Sequence, residues 1–245
     1  MSRPRAWTVI VSMTAIALLA ARGTWAQEAL TAKPDAAGTI HLSRGGVELA
    51  MIELNAHGPS WQYAPQASAT AQVSDLPGQA GKQFVGTLPI PNTDGGAIKY
   101  TESVTALPQG LRIEYDLSMT QTMNLNGLQV SICLPVAQYG GKEVLISEPG
   151  ANPRVAGLPE EQGSQVWSGQ GAKIEVAAGT DDAVTIELRA ATDVMIQDLR
   201  QWERPVFEFR FPAIMEDPPR EVTAEDRFHL DLTVTFAAPV RLEAP

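Results

Sequence analysis

Most of the chain beyond residue 27 reads with a period of two. "LRIEYDLSM" sets Leu111, Ile113, Tyr115, Leu117 and Met119 against Arg112, Glu114, Asp116 and Ser118. An extended strand throws successive side chains to opposite faces, so strict alternation describes a strand with one oily and one wet face. "GLQVSICLP" repeats the pattern, with Leu128, Val130, Ile132 and Leu134 inward and Gln129, Ser131 and Cys133 outward. "VTIELRA" buries Val184, Ile186 and Leu188, and "VFEFRFP" turns Phe207, Phe209 and Phe211 away from Glu208 and Arg210. "RFHLDLTVTF" closes with Phe228, Leu230, Leu232, Val234 and Phe236 inside, and His229, Asp231, Thr233 and Thr235 outside.

Weaker alternation marks Thr39 to Ser43, Val47 to Leu54, Lys82 to Leu88, Ile98 to Val104, Val144 to Ile146 and Lys173 to Ala177. "PNTDGGA", "LPQG", "YGGK" and "AGTDDA" supply the Gly, Asn, Asp and Pro that tight connections use. No helix of ordinary length is expected in this part of the chain. Strands with one oily face build antiparallel sheets packed face to face, so the expected fold is an all-β, large antiparallel β-sandwich. If 111–119 and 128–134 pair as a hairpin, Glu114 falls beside Ser131 and Arg112 beside Cys133.

Residues 1 to 26 read as an export signal. Arg3 and Arg5 precede the uncharged run Trp7 to Ala20, which is short for a bilayer span, and "TWA" ends in a small residue at Ala26. A membrane anchor is the alternative, and no later stretch is apolar and long enough to cross a bilayer. Cleavage there takes Arg3, Arg5 and Arg22, leaving 15 of the 18 basic residues against 28 acidic ones. So acidic a surface repels phosphate backbones and anionic headgroups, which excludes nucleic acid and membrane as expected partners. The expected location is periplasmic or extracellular. Residues 27–245 are expected to form one domain, with the Pro- and Gly-rich stretch 147–165 as the one candidate seam.

Cys133 is the only cysteine, so no intrachain disulfide stabilises the fold. A buried thiol, an intermolecular bridge and a nucleophile compete here; the first is favoured because free cysteine buries readily and no His lies nearby in sequence. No Gly-rich phosphate loop, H-E-x-x-H, C-x-x-C or G-x-S-x-G occurs. The three histidines, His41, His57 and His229, are widely spaced, and no metal or cofactor is expected. Asp181 and Asp182 form either a solvated turn or a weak calcium feature.

The polar strand faces offer Arg189, Glu208, Arg210, His229 and Asp231. Guanidinium and carboxylate groups donate and accept in fixed geometries, as binding of sugar hydroxyls requires. They also serve as cross-strand ion pairs on a solvated sheet. Aromatic residues in polar, Gly/Pro-rich stretches sharpen the choice: His57, Trp61 and Tyr63 in "HGPSWQYAP", and Trp202 in "RQWERP". An indole or phenol ring can stack on the apolar C–H face of a sugar.

The run "VTALPQGLRIEYDLSMTQTMNLNGLQVSICLPVAQYGGKEV", with "FEFRFP" and "VTAEDRFHLDLTVTF" near the end, resembles the galactose-mutarotase-like super-sandwich domains associated with bacterial polysaccharide-active enzymes. The likeness spans roughly residues 80 to 240 and rests on strand rhythm. It implies two broad sheets, one concave and binding saccharide. Enzymes of that group place a histidine acid and a glutamate base about the sugar; here only His57 and His229 could serve, and neither lies in a matching motif. Three readings follow. The first is an exported accessory or binding protein that contacts carbohydrate through Arg189, Arg210, Trp202, Trp61, Tyr63 and His57. The second is a carbohydrate-active enzyme using His229, Glu208 or Asp231. The third is a structural envelope protein without a small ligand.

Overall fold

The computed structural model describes residues 28–245; the proposed leader, residues 1–26, lies outside them. Sixteen strands follow in chain order: β1 (Leu30–Pro34), β2 (Ile40–Arg44), β3 (Val47–Gly58), β4 (Gln62–Pro65), β5 (Thr70–Asp75), β6 (Gly81–Pro89), β7 (Ala97–Leu107) and β8 (Gly110–Met119). They continue as β9 (Met123–Pro135), β10 (Glu143–Ser147), β11 (Arg154–Gly157), β12 (Gln165–Val176), β13 (Val184–Asp198), β14 (Val206–Val222), β15 (Arg227–Phe236) and β16 (Val240–Leu242). Among the described residues helix is confined to α1 (Val136–Tyr139) and to 3-10 turns at Pro59–Trp61, Gln66–Ser68 and Leu199–Trp202. The fold is all-β.

All the strands belong to one sheet, whose main path runs β16-β1-β2-β3-β9-β14-β13-β15-β8-β7-β6-β5. The sheet curls so that its two arms share a core. β13 is the bend. Its first half pairs with β15 through Val184 to Leu188, and its second half pairs with β14 through Met195 to Asp198. Ile52, Leu54, Val130, Ile132, Phe207 and Phe209 from one arm pack in the same apolar cluster as Phe84, Ile113, Tyr115 and Val234 from the other.

Gln66 joins the two arms directly. Its Oε1 accepts from the Leu54 amide of β3 (2.7 Å) and lies 3.0 Å from the Tyr115 hydroxyl of β8. The segment 147–165 is no gap in the sheet, because β11 lies within it and pairs with β10.

Alternation assigns the inward residues as expected, including Leu111, Ile113, Tyr115, Phe207, Phe209, Phe211 and Val234. Two expectations are corrected. β8 and β9 do not form a hairpin: β8 is flanked by β7 and β15, and β9 by β3 and β14. Both edges of each strand are therefore taken by others, and Ser131 faces Glu53 and Arg210 rather than Glu114. The second correction is that Gln129, Ser131 and Cys133 are buried rather than wet. They lie opposite the core, but on a central strand whose second face is covered.

Candidate functional site

That covered face is a cleft. Its floor is the non-core side of β3, β9, β14 and β13, four adjacent strands whose register stacks their polar residues in rows. One row runs Glu53, Ser131, Arg210, Met195; the next runs Cys133, Glu208, Gln197. Each residue alternates with a core side chain of its strand, so the packing that drives Phe207, Phe209, Ile132 and Ile52 inward aims this set at the opposite face. Above the floor the cleft encloses about 710 Å³. Trp61 from the β3–β4 turn and Tyr63 from β4 line its rim, with Trp202 and Arg204 from the β13–β14 turn and Met215, Glu216 and Asp217 from β14.

Around Glu208 and Glu53 the floor is a hydrogen-bond network joined through Asn55. Glu208, 1% exposed, accepts from the Ser131 hydroxyl at 2.7 Å and from Arg210 Nε at 2.6 Å, with the Asn55 amide at 3.5 Å. Glu53 accepts from Arg204 Nη2 and the Tyr63 hydroxyl, each at 3.2 Å, and from Asn55 Nδ2 at the same distance. Each buried carboxylate thus holds its own arginine, the arrangement that makes a buried charge tolerable. Arg204 also lies over the Tyr63 ring, 5.7 Å from its centroid.

His57 sits between Trp61 and Tyr63, both ring centroids 5.5 Å away. Its Nδ1 is 3.4 Å from the Trp61 carbonyl and its Nε2 is 3.4 Å from the Gln129 amide. Burial, with the Arg210 charge added, holds the imidazole below its ordinary pKa, against the opposing pull of the Trp61 carbonyl and Glu208. It is neutral at neutral pH. Opposite it stands Gly127: a Cβ there would lie 2.9 Å from His57 Cδ2 and displace the ring. Cys133 lies beneath Arg204, its Sγ 3.8 Å from Nη2. Burial pushes its thiol well up, and the Glu208 and Glu53 charges add to that. A protonated thiol under a guanidinium is no nucleophile.

Backbone strain gathers at the rim. Ser60 and Trp61 both have φ of 60° and Glu203 has φ of 61°, a left-handed conformation that costs a side-chain-bearing residue roughly 1–2 kcal/mol. Strain retained beside a cleft is a mark of sites held in a set geometry. Trp61, Tyr63 and Trp202 are 39%, 40% and 55% exposed, so their rings are open to a ligand rather than consumed by the core.

Six of the residues singled out from sequence meet here: His57, Trp61, Tyr63, Trp202, Glu208 and Arg210. Three do not. Arg189 is exposed on β13 and does not line the cleft. His229 and Asp231 lie on β15, paired with Asp116 and Glu114 of β8. His229 Nδ1 is 2.8 Å from Asp116, and Arg112 donates to both oxygens of Asp231 and to Glu114. Glu114, His229 and Asp231 are, among the described residues, the one group with ligand atoms close enough for a metal ion. The Arg112 guanidinium already supplies the cation. Asp182, the weak calcium candidate, likewise accepts from Arg44. Glu53, Asn55, Gln129, Ser131 and Arg204 were not singled out by sequence. The signal for the first four was present as polar residues alternating inside apolar strands, but only the topology shows those strands to be central.

The architecture is that of the galactose-mutarotase-like proteins. A galactose mutarotase-like protein from Lactobacillus casei superposes on 83% of this chain and 96% of its own, with a TM-score of 0.53 at 13% identity. A galactose mutarotase related enzyme from Lactobacillus acidophilus covers 83% of this chain and 92% of its own at a TM-score of 0.49 and 9% identity. A 4-alpha-glucanotransferase from Thermococcus litoralis matches 80% of this chain with 28% of its own, at a TM-score of 0.43 and 10% identity. Neither a protein-family model nor a curated protein sequence matches the chain.

Proposed function

We propose that the protein is exported and binds a neutral saccharide in the β3–β9–β14–β13 cleft, as an accessory or binding protein rather than an enzyme. The observation that carries this reading is the pairing of exposed rings, Trp61, Tyr63 and Trp202, with a polar floor of paired charges. Rings that stack on a C–H face beside groups that orient hydroxyls are what a sugar needs from a site. Charge favours a neutral ligand. Arg204 and Arg210 are each matched by Glu53 and Glu208, while Glu216 and Asp217 add negative charge at the rim. The fold, shared with a protein named galactose mutarotase-like, is compatible with such a ligand.

Binding is preferred to turnover because the acid–base groups of the cleft floor, Glu208 and His57, are committed within the protein, while Glu216 and Asp217 stand at the rim. Both Glu208 oxygens are taken by Ser131 and Arg210, and both His57 nitrogens face internal partners. Calorimetric titration of the mature protein with galactose, glucose, their oligosaccharides and galacturonate tests the reading. A neutral sugar should bind, galacturonate should bind less well, and Trp202→Ala should weaken binding roughly five-fold, the worth of about 1 kcal/mol of ring contact. Indifference of binding to Trp202→Ala and Trp61→Ala, or no binding across the panel, would overturn it. Accelerated anomerisation of galactose in a polarimeter would replace it with the enzymatic reading.

A further inference from the structure

The two indole walls of the cleft are each tied to the body of the protein by one buried polar group, and neither group lines the cleft. On one side the residue is Asn126 of β9, 1% exposed. Its Oδ1 accepts from the Trp61 amide at 3.2 Å, and its Nδ2 donates to the Glu216 carbonyl at 2.8 Å. One side chain therefore anchors both the turn that carries Trp61 and the part of β14 that carries Glu216 and Asp217. The ladder explains why the latter needs anchoring: between the pairs Met215–Gly127 and Arg220–Leu125, residues 216 to 219 oppose Asn126 alone. The segment bulges out of the sheet with its ladder bonds broken.

On the other side the group is Asp198, fully buried, with Arg200. Asp198 Oδ2 accepts from the Gly163 amide at 2.8 Å, and its Oδ1 accepts from the Arg200 amide at 3.0 Å. The Arg200 guanidinium donates back to Asp198 and also to three successive carbonyls, Pro159 (3.0 Å), Glu160 (2.6 Å) and Glu161 (2.7 Å). Only a planar fork with five N–H groups can do this; a lysine cannot. The clasp lies in the same 3-10 turn as Leu199 and Trp202, and the turn ends at Glu203 in the left-handed region.

We infer that Asn126 and the Asp198–Arg200 clasp are positioning residues that hold Trp61 and Trp202 in place, so that the cleft stands preformed before its ligand arrives. The inference rests on the reading of the cleft as a saccharide site. Walls ordered in advance spare the ligand the entropy of ordering them, which raises affinity without a new contact. The strained backbone at Trp61 and Glu203 calls for such anchors, since a left-handed tryptophan relaxes unless its neighbours over-determine it.

The test has a readout that needs no ligand. In the mature protein, the indole N–H groups of Trp61 and Trp202 should show NMR order parameters near the rigid limit of about 0.85 despite their exposure. Asn126→Ala should loosen Trp61 and leave Trp202 unchanged, and Arg200→Ala should do the reverse. With D-galactose as the probe, each variant should bind several-fold more weakly. Adding Arg200→Ala to Trp202→Ala should cost nothing further, because the clasp acts through that ring. If either alanine variant fails to fold, Asn126→Leu (which keeps the shape and loses the acceptor that holds the Trp61 amide) and Arg200→Lys (which keeps the charge and loses the fork) carry the same expectations. Indoles already mobile in the unaltered protein, or unmoved by the substitutions, would overturn the inference while leaving the saccharide reading intact. Trp202→Ala and Trp61→Ala both without effect on galactose affinity, with the indole order as expected, would instead overturn the saccharide reading alone.

Discussion

At the scale of single residues, the molecule's two kinds of polar site behave oppositely. Arg210 and Glu208 form a buried pair, with side chains 13% and 1% exposed. Arg210→Ala leaves a buried carboxylate without its cation, and unfolding in urea should show a loss of about 3–5 kcal/mol. Arg112 and Asp231 are linked by a two-pronged bond, but the arginine is 46% exposed. Asp231→Ala should cost only about 0–1 kcal/mol in the same assay. A third case is Glu102, which has no cation at all. Burial pushes its carboxyl up to about 8, against the hydrogen bonds from Tyr115 and Gln66 and with the Asp35 charge adding to the rise. The hydrogen bonds around it ask for that proton. Tyr115 Oη lies 2.8 Å from Glu102 and 3.0 Å from Gln66 Oε1, yet one hydroxyl has one proton to give. When it goes to Gln66, a protonated Glu102 donates to Tyr115, and Gln66 Nε2 donates to the other Glu102 oxygen at 2.7 Å. Between the ordinary pKa of 4.5 and about 8 the folded state holds a proton that the unfolded chain has lost. Stability must therefore fall as pH rises through that window, by at most about 1.4 kcal/mol per pH unit. Glu102→Gln, whose amide can both donate and accept there, should flatten this part of a melting-temperature profile measured from pH 5 to 9. An unchanged slope would show that the proton is held elsewhere.

At the scale of elements, the strand rhythm was legible and the pairing was not. β8 and β15 follow the alternation residue by residue, and β14 follows it from Phe207 to Phe211 before its ladder shifts. β6 shows where alternation carries a hidden exception: Phe84 and Leu88 point into the core, and between them stands Gly86, equally buried. Its space is filled by Tyr100 of β7, directly across the ladder, whose ring would lie 2.3 Å from a Cβ at 86. Gly86→Ala overpacks that site and should lower stability by about 1–3 kcal/mol, measured by thermal unfolding, although alanine suits a strand better than glycine. The same ladder logic explains the misplaced hairpin. A short β8–β9 connection suggests adjacency, but edges are awarded by the whole sheet, and β9 is flanked by strands that begin 76 residues before it and 83 after, β3 and β14.

At the scale of the whole molecule, the curl of the sheet decides which polar face becomes a site. β13 gives its first residues, Val184 to Leu188, to one arm and its last, Met195 to Asp198, to the other, so Arg189 and Gln197, eight residues apart on one strand, end on different surfaces. The acidic balance belongs to this scale too, as does the proposed export. Mass spectrometry of the secreted protein should show an N-terminus at Gln27 or within a few residues of it; an intact Met1 on the exported product would refute cleavage.

The sequence alone was enough for the all-β class, for most inward-facing residues, for the galactose-mutarotase-like resemblance and for singling out four rings, His57, Trp61, Tyr63 and Trp202, that the fold brings to one cleft. These follow from local physics: a period of two, turn chemistry, and aromatic rings stranded in polar loops. It could not separate Glu208 and Arg210 from His229, Asp231 and Arg189, because all five occupy the same kind of position, the polar face of an alternating strand. Nor could it show that Ser131, Gln129 and Cys133 are buried, or that Glu53 and Asn55 join them. A residue's face is set by its own strand. Whether that face meets water, a partner charge or a ligand is set by the strands that long-range pairing places beside it, and by the loops that close over it.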